Sequence, residues 1–222
     1  MSRPVLVFDM DGVLVDVSES YRATIVETVR HFTGHEIPRE LIQQYKDTGG
    51  WNNDWALSQR IILDTAQTDV PYEEVIQVFQ SYFFGPDNKG LVMREKWLPA
   101  DGLLERLRHT YHLTIFTGRL RGEAAFTLNR FVPDLQWARV VGDDDVTRSK
   151  PDPDGLLQIA AENPGAALTY LGDTVDDARS ARAAGVRFIG VAHPRHPHLP
   201  DLLRREGAAA VIEDINEIEG VL

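Results

Sequence analysis

Six short apolar runs, each stopped by a small or acidic cluster, constrain this chain more than any other feature. They are Val5–Phe8 before Asp9, Leu113–Phe116 before Thr117-Gly118, Arg139–Val141 before Gly142-Asp143, and Leu168–Leu171 before Gly172-Asp173. Val186–Val191 and Ala209–Ile212 follow toward the C-terminus. A half-buried strand alternates apolar and polar residues, whereas runs this continuous suit strands covered on both faces, as in a parallel sheet. Amphipathic helical patterns lie between them. One starts at Asp101 with Leu103, Leu104 and Leu107 on one face; others are Gly122–Phe131, Asp152–Glu162 and the alanine-rich Asp176–Ala184, which runs into Gly185. Glycine just past a helix end is a natural stop. Strand–helix alternation of this kind predicts an α/β fold, a doubly wound parallel sheet with right-handed crossovers.

The first crossover breaks the rhythm. After Asp16 about eighty residues pass without a convincing strand, far beyond the ~10–12 that a crossover needs. Helical patterns fill the gap at Ser18–Phe32, Pro38–Lys46, Asp54–Thr65 and Tyr72–Phe83, separated by Thr33-Gly34, Gly49-Gly50, Val70-Pro71 and Gly85-Pro86. The expected organisation is a sheet domain of residues 1–15 and 94–222 and an inserted helical unit of residues 16–93.

Charge and composition exclude several classes of function. With 34 Asp and Glu against 23 Lys and Arg, the net charge is −11, which repels nucleic-acid backbones and anionic lipid. A small anionic substrate stays possible, because local groups or a bound cation reverse the field within one cleft. There is no cysteine, so thiolate nucleophiles, disulfides and zinc–thiolate sites are ruled out. The apolar run at Val5–Phe8 is too short for a signal peptide, and no stretch approaches a membrane span. The expectation is a cytoplasmic protein without nucleic-acid or membrane partners; its oligomeric state is not legible.

In an open α/β sheet, ligands bind beyond the carboxyl ends of the strands, so the clusters that end the runs should converge on one crevice. Asp9 and Asp11 straddle a turn in which Gly12 permits a sharp bend. Two carboxylates there could serve as nucleophile and proton donor; the ordinary alternative is a capping Asp and a turn Asp. Thr117 offers a hydroxyl and Gly118 a bare backbone N–H for a phosphate oxygen, against a simple helix cap; Arg119 beside them could assist, though an arginine there is expected in solvent. Lys150 is aimed by Pro151 and Pro153 and would neutralise a phosphoryl group, against the role of a surface lysine. Asp173, Asp176 and Asp177 crowd three carboxylates into five positions, and a hard divalent cation relieves such repulsion. A favourable helix N-terminus explains Asp176 well and Asp173 poorly. His193, His196 and His198 alternate with prolines as in a solvated loop, and Asp143-Asp144-Asp145 reads as an acidic turn leading to Lys150.

Taken in order, Asp-x-Asp, Thr-Gly, Lys-Pro and Gly-Asp-x-x-x-Asp, each at a strand end, resemble the haloacid dehalogenase-like hydrolase superfamily. The likeness is to its phosphatases with a helical cap after the first motif, the phosphoglycolate phosphatase and beta-phosphoglucomutase group. The resemblance spans the core, about two thirds of the chain, and implies a Rossmann-like core. It implies Asp9 as the nucleophile that becomes an aspartyl phosphate and Asp11 as general acid and base. It gives Thr117 and Lys150 the phosphoryl group, with Gly12 and Gly118 beside it. It implies a Mg2+ held by Asp9, Asp11 through its backbone carbonyl, Asp173 and Asp177, with Asp176 a bystander.

Asp11 separates phosphoryl transfer from the dehalogenating chemistry of the same superfamily, which lacks such a residue. The expected function is a Mg2+-dependent phosphate-monoester hydrolase acting on a small phosphorylated metabolite. The alternatives are a phosphomutase and a catalytically silent binding module on the same fold. The core motifs handle only the phosphoryl group, so leaving-group choice is expected in the cap around Lys46–Trp55, with Lys46 and Asn52 as substrate contacts. The plainer role for that stretch is a helix start capped by Asn53 or Asp54, with Trp51 and Trp55 packed as a pair.

Overall fold

A computed structural model describes residues 2–222. It divides into two compact units, one made of the chain up to Val15 and from Trp97 to Leu222, the other of Asp16–Lys96.

In the first unit, six parallel strands are β1 (Val5–Phe8), β4 (His112–Phe116), β5 (Arg139–Val141), β6 (Leu168–Gly172), β7 (Arg187–Val191) and β8 (Ala210–Ile212). Their order across the sheet is β5-β4-β1-β6-β7-β8. This is the doubly wound parallel sheet expected from the apolar runs. All four residues of β1 are buried, because it lies at the centre and side chains alternate between two covered faces. Val5 and Val7 share one face with Phe116, Tyr170 and Phe188. Onto it pack Leu156 and Ile159 of α7 (Asp154–Glu162), Ala178 and Ala181 of α8 (Val175–Ala184), and Leu199 and Leu203 of α9 (Leu199–Arg205). Two more helices complete the unit, α5 (Leu103–Thr110) and α6 (Arg121–Phe131). Gly185 does end α8 in the left-handed region, at φ 68°.

One helix has no counterpart in the sequence pattern. α9 is seven residues long, buries only Leu199 and Leu203 fully, and follows a His- and Pro-rich loop, so its periodicity is too short to detect.

The strand register prepares the site. Phe8 lies opposite Ile115 on one side and Leu171 on the other, so the residues after β1, β4 and β6 leave the sheet within one residue of the same level. The chain fills β1, β4 and β5 outward on one side, then crosses to β6 on the other. That reversal opens a crevice at the carboxyl end of β1.

The second unit is helical: α1 (Tyr21–Thr33), α2 (Arg39–Thr48), α3 (Asp54–Ala66) and α4 (Tyr72–Phe83). Its core joins Tyr21, Ile25, Leu57, Ile61, Phe79 and Phe83, all buried, with the Tyr21 and Phe83 rings 4.2 Å apart. Two short strands bracket the eighty residues that follow Asp16, β2 (Val15–Asp16) and β3 (Lys96–Trp97), and pair with each other. A two-residue strand has no period to read.

Candidate active site

Asp9 follows β1 directly, and its backbone N–H donates to the Leu171 carbonyl at 2.8 Å. Its side chain is buried beside Lys150, whose Nζ lies 3.0 Å from Asp9 Oδ1 and 2.8 Å from Asp177 Oδ1. Lys150 is itself buried, against the rings of Phe116 and Tyr170. The alternative of a surface lysine is therefore excluded, because an ammonium this deep needs charge partners.

Asp177 is the firm partner. Its Oδ1 accepts from Lys150 and, at 2.6 Å, from the Tyr170 hydroxyl; its Oδ2 accepts from the Thr174 N–H at 3.0 Å and hydroxyl at 2.6 Å. The Thr174–Asp177 pair is a reciprocal capping box at the start of α8, legible as Thr-x-x-Asp. Burial pushes the Asp177 carboxyl up, but the Lys150 ammonium and the bonds from Lys150, Thr174 and Tyr170 outweigh it and hold it below the ordinary value.

Asp9 has no such set of donors. Burial, reinforced by the Asp177 and Asp11 carboxylates and opposed by Lys150, pushes its carboxyl up to about 7. Burial also works against the Lys150 ammonium, yet Asp177 and Asp9 raise it above the ordinary lysine value.

Asp173 completes a carboxylate trio. One oxygen from each of Asp9, Asp173 and Asp177 lies within 4.8 Å of the others. Gly12 sits against this trio at φ +72°, where a Cβ would come 2.0 Å from Asp173 Oδ2. A Cβ on Gly172 would likewise meet the Asp177 carboxyl, at 2.4–2.7 Å. The carboxylates thus occupy space that only glycine leaves open. Asp9 Oδ1, although near Lys150, accepts no well-directed hydrogen bond among the described residues. A crowded acidic trio with an under-satisfied buried oxygen fits a hard divalent cation.

The remaining motifs reach the same crevice. Thr117 is buried, and its hydroxyl accepts from the Arg119 N–H at 3.2 Å, leaving its own proton to donate; Gly118 next to it is half-buried. Asp11 is the more open member of its pair. Arg119 corrects the expectation of a solvated side chain: it is buried, with Nε 2.7 Å and Nη2 2.6 Å from Asp11 Oδ1. Asp143–Asp145 forms a turn that meets α6, where Asp144 accepts from the Arg121 N–H at 2.7 Å and Asp145 pairs with the Arg121 guanidinium. Asp176 is buried in the first turn of α8. His193 and His198 lie exposed in their loop.

The helical unit holds Lys46 and Asn52. Lys46 Nζ is 2.8 Å from Asp54 Oδ1, while Asn52 Nδ2 is buried without an acceptor among the described residues. Asn53 caps α3, accepting from the Trp55 and Ala56 N–H groups at 3.0 Å each. Trp51 and Trp55 meet different rings, Tyr45 and Phe79, because α3 begins between them and breaks the helical spacing that would pair them.

Residues 6–191 match the family model described as haloacid dehalogenase-like hydrolase. An imidazoleglycerol-phosphate dehydratase from Phytophthora nicotianae is 35% identical over 88% of the chain, which spans only 45% of that protein's length. An N-acetylmuramic acid 6-phosphate phosphatase from Pseudomonas aeruginosa is 26% identical over 100% of this chain and 96% of its own. The fold is shared with a haloacid dehalogenase-like hydrolase structure from Bacteroides fragilis, at a TM-score of 0.79, 23% identity, and coverage of 97% of this chain and 99% of that one.

Proposed function

Because the chain belongs to the haloacid dehalogenase-like hydrolase family, we propose that it is a Mg2+-dependent phosphate-monoester hydrolase of small metabolites, working through an aspartyl phosphate on Asp9. The observation that carries this reading is the buried Asp9 carboxylate, set between the Lys150 ammonium and the Asp173 and Asp177 carboxylates. That placement suits a nucleophile better than a capping residue, because capping needs neither burial nor a buried cation.

Asp9 attacks phosphorus in line while the bond to the leaving oxygen breaks, and Asp11 gives that oxygen its proton. Asp11 then takes a proton from the water that cleaves the acyl phosphate, releasing phosphate and restoring Asp9. The Thr117 hydroxyl, the Gly118 N–H and the Lys150 ammonium hold the phosphoryl oxygens. Asp177 fixes Lys150, and Gly12 leaves room for Asp173. Asp9, Asp173, Asp177 and the Asp11 backbone carbonyl are the groups that would hold Mg2+, which when bound supplies positive charge favouring ionised Asp9 and the phosphoryl oxygens.

Leaving-group recognition is assigned to Lys46 and Asn52 of the helical unit. The acceptor-free Asn52 amide supports that assignment; at Lys46 a substrate anion competes with Asp54. The test is a screen of metabolite phosphates with Mg2+, reading released phosphate, with Asp9→Asn as control. Release that disappears in Asp9→Asn supports the reading. Isomerisation of a sugar phosphate without release makes the protein a mutase, and no turnover of any phosphate leaves a binding module.

A further inference from the structure

An arginine two residues past a strand-end threonine ordinarily reaches into solvent, yet Arg119 is 2% exposed. Burying a guanidinium is costly unless its donors are met. Here Nε donates to Asp11 Oδ1, Nη2 lies against the same oxygen as an ion-pair contact without a well-directed hydrogen bond, and Nη1 donates to Thr127 Oγ1 at 2.7 Å. Thr127 is fully buried on α6. The backbone is held as well, its N–H on Thr117 Oγ1 and its carbonyl accepting from the Asp143 N–H at 2.8 Å. Arg119 therefore cannot swing without breaking contacts at both ends, whereas the Asp11 side chain is 30% exposed.

The two sides of Asp11 differ accordingly. One carboxylate oxygen, Oδ1, is clamped by two guanidinium nitrogens; Oδ2 has no partner among the described residues. We propose that Arg119 is a positioning residue for the acid–base step, clamping Oδ1 of Asp11 so that Oδ2 is the atom that exchanges the proton. The inference rests on the phosphatase reading and adds an atom and a residue to it. In the first half-reaction the Oδ2–H bond breaks and its proton passes to the leaving oxygen as that oxygen separates from phosphorus. In the second, Oδ2 takes a proton from the attacking water. A single oriented oxygen makes both transfers shorter and more reproducible than a freely rotating carboxylate would. Thr127 supports the clamp from behind.

The experiment uses aryl phosphates whose leaving phenols span from strongly acidic dinitrophenol to phenol itself. It measures kcat/KM and KM for wild type, Arg119→Met, Arg119→Lys and Thr127→Val with Mg2+. A poorly acidic leaving group needs its proton, so Arg119→Met should lose about 100-fold or more on phenyl phosphate and only a few-fold on dinitrophenyl phosphate. KM should hold nearly constant. Arg119→Lys, which keeps a cation near Oδ1, should recover part of the loss, and Thr127→Val should show the same trend more weakly. Thr127→Val also keeps the test decisive where Arg119→Met fails to fold. A crystal structure of Arg119→Met should find the Asp11 carboxylate in more than one orientation. Equal losses across the series, unchanged rates, or an undisturbed Asp11 would overturn the proposal while leaving the phosphatase reading intact. A wild-type enzyme inert toward the whole series would overturn both.

Discussion

Replacing Asp9 by asparagine should make the metal-free protein more stable at neutral pH, although it removes the proposed nucleophile. The folded carboxyl is pushed up to about 7 from 3.8, so between those values the folded state holds a proton that the unfolded chain has released. Stability therefore falls as pH rises across this window. At about 1.4 kcal/mol per pH unit, the span corresponds to about 4 kcal/mol, fully present below pH 4 and lost above pH 7. Asparagine fills the same space and does not ionise, and Lys150 keeps Asp177 as its partner at 2.8 Å. The assay is urea unfolding in EDTA from pH 5 to pH 8 for both proteins. The gap between the curves should widen by about 2.5 kcal/mol from pH 5 to pH 8, with Asp9→Asn gaining on wild type as pH rises and the difference levelling off above pH 7. Asp177, held low, acts with the opposite sign only below about pH 4, outside the window. Added Mg2+ should stabilise wild type more than the variant. Parallel curves, or an Asp9→Asn protein weaker at every pH, would refute the claim that burial strains this carboxylate.

Turnover of Asp173→Ala should need at least about tenfold more Mg2+ than wild type, whereas Asp176→Ala should shift the requirement by under about threefold; a Mg2+ titration of phosphate release compares them. Gly12→Ala forces a Cβ to within 2.0 Å of Asp173 Oδ2 at a positive φ, so thermal unfolding should report a loss of about 1–3 kcal/mol and activity should fall with it. Lys46→Ala and Asn52→Ala should raise KM for the best metabolite substrate and leave that for a small aryl phosphate nearly unchanged, which steady-state kinetics on both substrates will read.

The longer elements of this protein were legible because each is encoded locally. Val5–Phe8 could be bounded to the residue, since burial on both faces of a central strand demands an unbroken apolar run. Tyr72–Phe83 and the Gly185 stop were legible for the same reason, one from a 3.6-residue period and the other from glycine's access to positive φ. The strand-end carboxylates announced themselves by their crowding. Only the tertiary structure decided what surrounds each one, because that depends on partners far away in sequence. Asp177 is anchored by a lysine 27 residues off and by the hydroxyl of Tyr170, which in the sequence is merely an aromatic strand residue. Arg119 reads as solvated until the sheet brings it to Asp11, 108 positions earlier. Lys46 reads as a lone cation until α3 carries Asp54 to within 2.8 Å of it. Periodicity records which face of an element is dry. The state of a charged group is set by the burial and the counter-charges around it, and those exist only once the chain has folded.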